Sequence, residues 1–146
     1  MSFDERLGSH LKRVDLELNT VKAAAVRPAG LTVPQYAALF VLDEQPGISA
    51  AELARRCRVT PQTMTTILRN LESAALIERT PHQLHHHVIE TRTTPAGLKA
   101  LAQADERATS VERRLAAEFT KYERETLVAL LARCSKSLTN DPILNS

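Results

Sequence analysis

Apolar positions recur at helical spacing along most of the chain, and polar or proline-bearing breaks divide them into six helical segments with one strand-like pair. Leu7, Leu11, Val14, Leu18, Val21 and Ala25 step by four and three, a heptad-like seam on one long helix whose other faces are charged. Pro28, Ala29 and Gly30 stop that helix. Thr32 with Gln35 has the spacing of a capping box, and Tyr36, Leu39, Phe40 and Leu42 make the next helix a core element that Gln45-Pro46-Gly47 ends.

The stretch from Ser49 to Thr94 organises the rest. Ser49 with Glu52 forms another capping-box pattern, Leu53, Ala54 and Cys57 share one side of a short helix, and Val59 closes a turn. Thr60-Pro61 then starts a second helix, since proline at the first position gives up only an amide that would be unpaired anyway. Within it Met64, Ile67, Leu68 and Leu71 share a face and must turn inward. Gln62, Thr66, Arg69 and Ser73 therefore turn outward, flanked by Thr63, Thr65 and Asn70. These side chains can reach base edges and phosphates. Arg55, Arg56, Arg58 and Arg69 add four positive charges, and no acid lies between Glu52 and Glu72. Leu76, Ile77 and Arg79 begin a strand, Thr80-Pro81-His82-Gln83 reads as its turn, and Val88, Glu90 and Arg92 return before Thr94-Pro95 opens a helix. A hairpin directly after the second helix of such a pair is a wing.

Beyond the wing, Leu98, Leu101, Ala108, Val111, Leu115 and Phe119 carry a second long helix, and residues 123 to 138 carry the last. The tail from Thr139 to Ser146 reads as a frayed end. The N-terminal seam exceeds what a module of short helices can bury. Leu7, Leu11, Val14 and Leu18, with Leu127, Leu130, Leu131 and Leu138, are accordingly expected to form a dimer layer. The fold class is mainly α with a small β-hairpin wing: residues 31–94 a winged helix-turn-helix, residues 3–30 and 95–138 the dimerisation helices, all in a single domain.

Totals narrow the function. With 146 residues, 3% aromatic content and a formal charge of +2, the chain is not a polycation, so any affinity for nucleic acid must come from local placement of its arginines. There is no Gly-rich phosphate loop, GxSxG or HExxH pattern, and the four glycines are scattered, so no enzyme activity and no cofactor are expected. Neither a secretory nor a membrane-spanning segment is legible, which points to the cytoplasm. Cys57 and Cys134 fall in step with apolar positions and read as core residues. His82, His85, His86 and His87 could be weighed as metal ligands, but consecutive strand residues diverge, and a solvated wing tip beside a DNA backbone is the better reading.

The run LTVPQYAALFVLDEQPGISAAELARRCRVTPQTMTTILRNLESAALIER, with TPAGLKAL after the hairpin, resembles the MarR family of bacterial transcription factors over nearly the whole chain. The resemblance implies a homodimeric repressor in the cytoplasm that binds a pseudo-palindromic double-stranded operator and releases it when a small molecule binds. Its DNA contacts would come from Thr60, Pro61, Gln62, Thr63, Thr65, Thr66 and Arg69, with Arg55, Arg56 and the wing. Where the family's wing commonly carries Asp-x-Arg, this chain has His85, His86 and His87, with the arginine position on His87. Imidazoles set against phosphates would take up protons on binding. The alternative is an interaction adaptor that keeps the fold with weak or lost DNA binding.

Overall fold

A computed structural model describes residues 1–85 and 87–146; His86 lies outside the described residues. The chain divides into two compact units, residues 1–109 and 110–146.

In the first unit, helix α1 (Leu7–Val26) runs into a 3-10 turn at Arg27–Ala29 that Gly30 ends at φ 78°. Helix α2 (Val33–Glu44) starts at the Thr32/Gln35 capping box, complete in both directions. Helices α3 (Ala50–Arg56) and α4 (Pro61–Ser73) follow and pack on each other and on α2. Strands β1 (Ile77–Pro81) and β2 (Ile89–Thr93) make an antiparallel hairpin in which Ile77 faces Thr93 and Pro81 faces Ile89. Helix α5 (Pro95–Ala117) comes next. One core joins Val26, Leu39 and Leu42, Leu53, the apolar face of α4, Ile77, and the Ala100, Leu101, Ala104 and Ala108 side of α5.

Several expectations need correction. Phe40 is exposed: α2 buries Ala38, Leu39, Val41 and Leu42, and Phe40 lies off that stripe, its ring 6.2 Å from that of Tyr36. The half-buried Tyr36 hydroxyl donates to Asp105 Oδ1 at 2.6 Å, tying α2 to α5. Thr80 and Pro81 belong to β1 instead of the turn, and β2 begins at Ile89, one residue after Val88. Proline is tolerated there because it ends the strand of a two-stranded ribbon, where a missing donor costs little. Along α5, small alanines do most of the packing and Leu98 is exposed.

In the second unit, α5 stops at Ala117, so Phe119 lies in the turn before helix α6 (Lys121–Thr139). Thr120 and Glu123 form a capping box there, and the hydrogen bonds from Thr120 hold the Glu123 carboxyl below the usual range. None of the α6 residues is buried: Leu127, Leu130, Leu131 and Leu138 are exposed, and Cys134 is half-buried instead of a core residue. The tail is not frayed throughout, since Pro142–Asn145 forms a 3-10 turn capped by the Asp141 carboxylate, which accepts the Ile143 N–H.

The base of the wing is closed by one residue. Thr94 donates its N–H to Leu76 O and its hydroxyl to Ala75 O at 2.7 Å, and its oxygen accepts the Gly97 N–H at the start of α5. Gly97 is what lets α5 come that close. A Cβ there would sit 2.0 Å from Leu76 O and 2.7 Å from Thr93 Cγ2. In an open helix, glycine to alanine stabilises by up to about 1 kcal/mol. Gly97→Ala is expected to do the reverse, destabilising by about 1 to 3 kcal/mol because backbone must move. Thermal unfolding reads this as a fall in Tm of about 3 °C per kcal/mol, and a rise would refute the close approach.

Candidate nucleic-acid interface

The interface is built from its helix ends. Ser49 Oγ accepts the Glu52 N–H and starts α3, but the reciprocal half of the expected box is missing because the Glu52 carboxylate turns to Arg55 instead. At the other end, Val59 N–H returns to Ala54 O and Arg58 N–H to Arg55 O, the paired bonds of a Schellman turn. Arg58 supplies its left-handed residue at φ 56°, a conformation that normally favours glycine or asparagine. Helix α4 repeats the device: Thr60 Oγ1 accepts the Thr63 N–H with Pro61 in the first turn, and Leu76 N–H to Leu71 O with Ala75 N–H to Glu72 O ends it, Ala75 at φ 58°. Val59 and Leu76, the residues after the two turns, both pack on the core.

With its ends fixed, α4 cannot choose its faces. Met64, Ile67, Leu68 and Leu71 are buried, and Gln62, Thr63, Thr65, Thr66, Arg69, Asn70 and Ser73 are all exposed, as the spacing required. The exposed residues are not equivalent. Thr60 is occupied as a cap, its hydroxyl donating to Thr63 Oγ1 at 2.9 Å, so its role is to set the helix start. Thr65 donates to Pro61 O and Thr66 to Gln62 O. Both hydroxyls therefore present lone pairs outward and must rotate before they can donate to a phosphate. Pro61 has no donor and can contribute only apolar contact.

The arginines divide as well. Arg55 pairs with Glu52, and Arg56 with Glu44 at 3.1 Å, acids that flank the acid-free interval in sequence but reach into it in space. Exposed pairs of this kind are worth little and can exchange for phosphate. Arg58 and Arg69 have no ion pair among the described residues, and both are exposed. Arg58 was not among the sequence-derived contacts. Its place at the turn between the two helices is what exposes it.

In the wing, His85 and His87 are exposed, their rings 6.1 Å apart. His82 is different. It is half-buried, its Nδ1 accepts the N–H groups of Leu84 and His85, and its Nε2 lies 3.4 Å from Glu90 Oε1. Reading only the three consecutive histidines passes over it. Among the described residues no cluster of three side chains is arranged to hold a metal ion. Cys57 ends α3 half-buried against the core, and burial raises its thiol pKa against the lowering effect of Arg56, which disfavours the reactive thiolate.

A cavity of about 450 Å³ opens between the last turns of α1 and the start of α2, lined by Asn19, Ala23, Arg27, Leu31, Val33 and Pro34. Its walls are largely apolar, with Asn19, Arg27 and Thr32 the polar residues among them. No helix among the described residues is long and apolar enough to cross a membrane.

A model of the MarR family matches residues 29–86. The HTH-type transcriptional repressor Rv2887 of Mycobacterium tuberculosis is 43% identical over 101 residues, 69% of each chain. The crystal structure of Rv2887 in complex with salicylic acid superposes with a TM-score of 0.67 at 32% identity, covering 88% of this chain and 96% of that one. The transcriptional repressor CouR, bound to a 23-mer DNA duplex, superposes with a TM-score of 0.80 at 29% identity over 90% of this chain and 94% of its own. With the helix pair, the hairpin and the flanking helices all in place, the chain belongs to the MarR family of transcriptional regulators.

Proposed function

We propose that the protein is a homodimeric repressor that binds a pseudo-palindromic duplex through the two α4 helices of its dimer and lets go when a small aromatic acid binds. The observation that carries this reading is the division of α4 into a buried apolar face and an exposed face of Gln62, Thr66 and Arg69, with Arg69 unpaired among the described residues. Arg69 and Gln62 are the side chains able to make paired hydrogen bonds to a base edge. Arg58, Arg55 and Arg56 then serve as phosphate contacts, and His85 and His87 extend the footprint along the duplex. A CouR–DNA complex and the repressor name of Rv2887 support the same reading. The adaptor alternative has no comparable support, since unpaired exposed arginines beside a polar helix face are what a phosphate backbone attracts.

Dimerisation follows from what the chain leaves wet. Leu7, Leu11, Val14 and Val21 on α1 are each 38% exposed or more, and Leu127, Leu130, Leu131 and Leu138 on α6 are exposed to a similar degree. Apolar faces of this extent mark an interface. Two-fold symmetry would set the α4 helices on one side of the duplex, about 34 Å apart. The α1–α2 cavity is large enough for a small ring, Arg27 offers a partner for a carboxylate, and salicylic acid, which Rv2887 binds, is an acid of that kind. An acid bound there would shift the operator equilibrium only by preferring one dimer shape over the other.

Arg69→Ala is expected to weaken operator binding by about 1 to 3 kcal/mol while leaving binding to random duplex nearly unchanged. A titration on both DNAs at fixed salt measures this. Equal losses on both would make Arg69 a phosphate contact, and no loss on either would remove it from the interface. Leu11→Asp is expected to move the dimer toward monomer or unfolding, because a carboxylate would be buried in the α1 interface. Sedimentation of a folded variant that remains dimeric at micromolar concentration would take this part of α1 out of the interface.

A further inference from the structure

We propose that His82 is the positioning residue of the wing, that its neutral imidazole holds the hairpin loop by accepting two backbone N–H groups, and that protonation releases the loop. The consequence for DNA rests on the regulator reading above, but the loop device itself does not.

The geometry carries the proposal. His82 Nδ1 accepts the N–H of Leu84 at 3.1 Å and of His85 at 3.2 Å. A ring nitrogen accepts only through a free lone pair, so the proton of the neutral ring sits on Nε2, which faces Glu90 Oε1 at 3.4 Å. An imidazolium carries a proton on both nitrogens and has no acceptor to offer. Charging His82 therefore breaks both bonds.

Among the described residues, little else holds the loop. The His82 N–H donates to Val88 O at 2.7 Å and the Val88 N–H to His85 O at 2.8 Å, closing its neck. Leu84 is 81% exposed and Val88 is exposed too, so burial does not fix the tip. Two lost side-chain bonds are then a large part of what orders it.

Several titratable or charged groups face His82. Glu90, from β2, presents one carboxylate oxygen to Nε2, and its other oxygen is engaged by Arg92 at 3.1 Å. The His85 ring lies 5.4 Å away, with His87 beyond it, and a charge on either would oppose a second one on His82. None of these groups can restore the acceptor. The proton uptake that adds charge at the wing tip, when it occurs at His82, undoes the loop that presents that charge.

Two variants separate the acceptor from the titration. In His82→Asn the side-chain oxygen lies as many bonds from the backbone as Nδ1 does, accepts N–H groups in the same way and does not titrate. His82→Ala has no acceptor. Backbone amide NMR spectra of the full-length dimer are compared at about pH 7.5 and about pH 5.5, either side of the ordinary histidine range. The Leu84 and His85 amides of the native protein and His82→Asn should coincide at the higher pH. On acidification the native signals should move toward the His82→Ala positions, well beyond those of His82→Asn, whose smaller movement is the share of the neighbouring His85 and His87 rings. Overturning results are His82→Asn moving with the native protein, or His82→Ala matching it at the higher pH. On operator DNA at about pH 7.5, His82→Ala should bind about fivefold more weakly than His82→Asn, the worth of roughly one net hydrogen bond. Equal affinity would overturn the positioning role. If no variant binds DNA while the amides behave as expected, the regulator reading fails and the loop device stands.

Discussion

Four side chains on α4 must leave water together, and the rest of the module is arranged around that requirement. Burying Met64, Ile67, Leu68 and Leu71 is worth about 1.5 to 3 kcal/mol each, a sum comparable with the whole net stability of a domain this size. No rotation of α4 about its axis is affordable, because a turn of one residue would push Arg69 or Thr65 toward the core. The outward face is therefore as rigidly specified as the inward one. The chemistry that α4 presents outward is a by-product of core packing, held in register by the Thr60 cap at one end and the Ala75 turn at the other.

Local electrostatics then decide how strongly that face can act. The acid-free interval seen in the sequence does not survive intact in space, since Glu44 and Glu52 come in from outside it to meet Arg56 and Arg55. Exposed pairs of this kind are worth little and would open at small cost to a competing phosphate. Arg58 and Arg69, without an ion pair among the described residues, need no such exchange. On the proposed function, attraction to any duplex and discrimination among duplexes fall to different side chains.

Much of this was legible in the sequence where a single rule dominated. The Thr32 and Thr60 caps, the faces of α4, the hairpin and the Thr94 helix start all follow from spacing, and all stand in the structure. Other features depend on contacts no spacing reports. Arg58 and Ala75 take left-handed backbones without being glycine, so the two turns that close α3 and α4 carry no composition signal. Gly97 looks like one scattered glycine until the Leu76 carbonyl is set beside it. The helical reading that placed Phe40 inside with Leu39 and Leu42 could not tell it from Ala38 and Val41, which α2 buries beside those leucines instead. His82 was legible only as one of several histidines, because accepting from the two amides ahead of it is a property of the folded loop. On α1 and α6, periodicity identified apolar faces, but what covers them is not written in one chain.

On the proposed function, two α4 helices, one from each copy, read the same side of a duplex through faces that core packing dictates. Chemical footprinting of the operator in its complex with the dimer tests it most directly. The expected result is two protected major-groove patches centred about one helical turn, roughly 34 Å, apart on one side of the DNA, related by the operator's own two-fold axis. A single patch, or protection spread evenly around the duplex without regard to sequence, would contradict it.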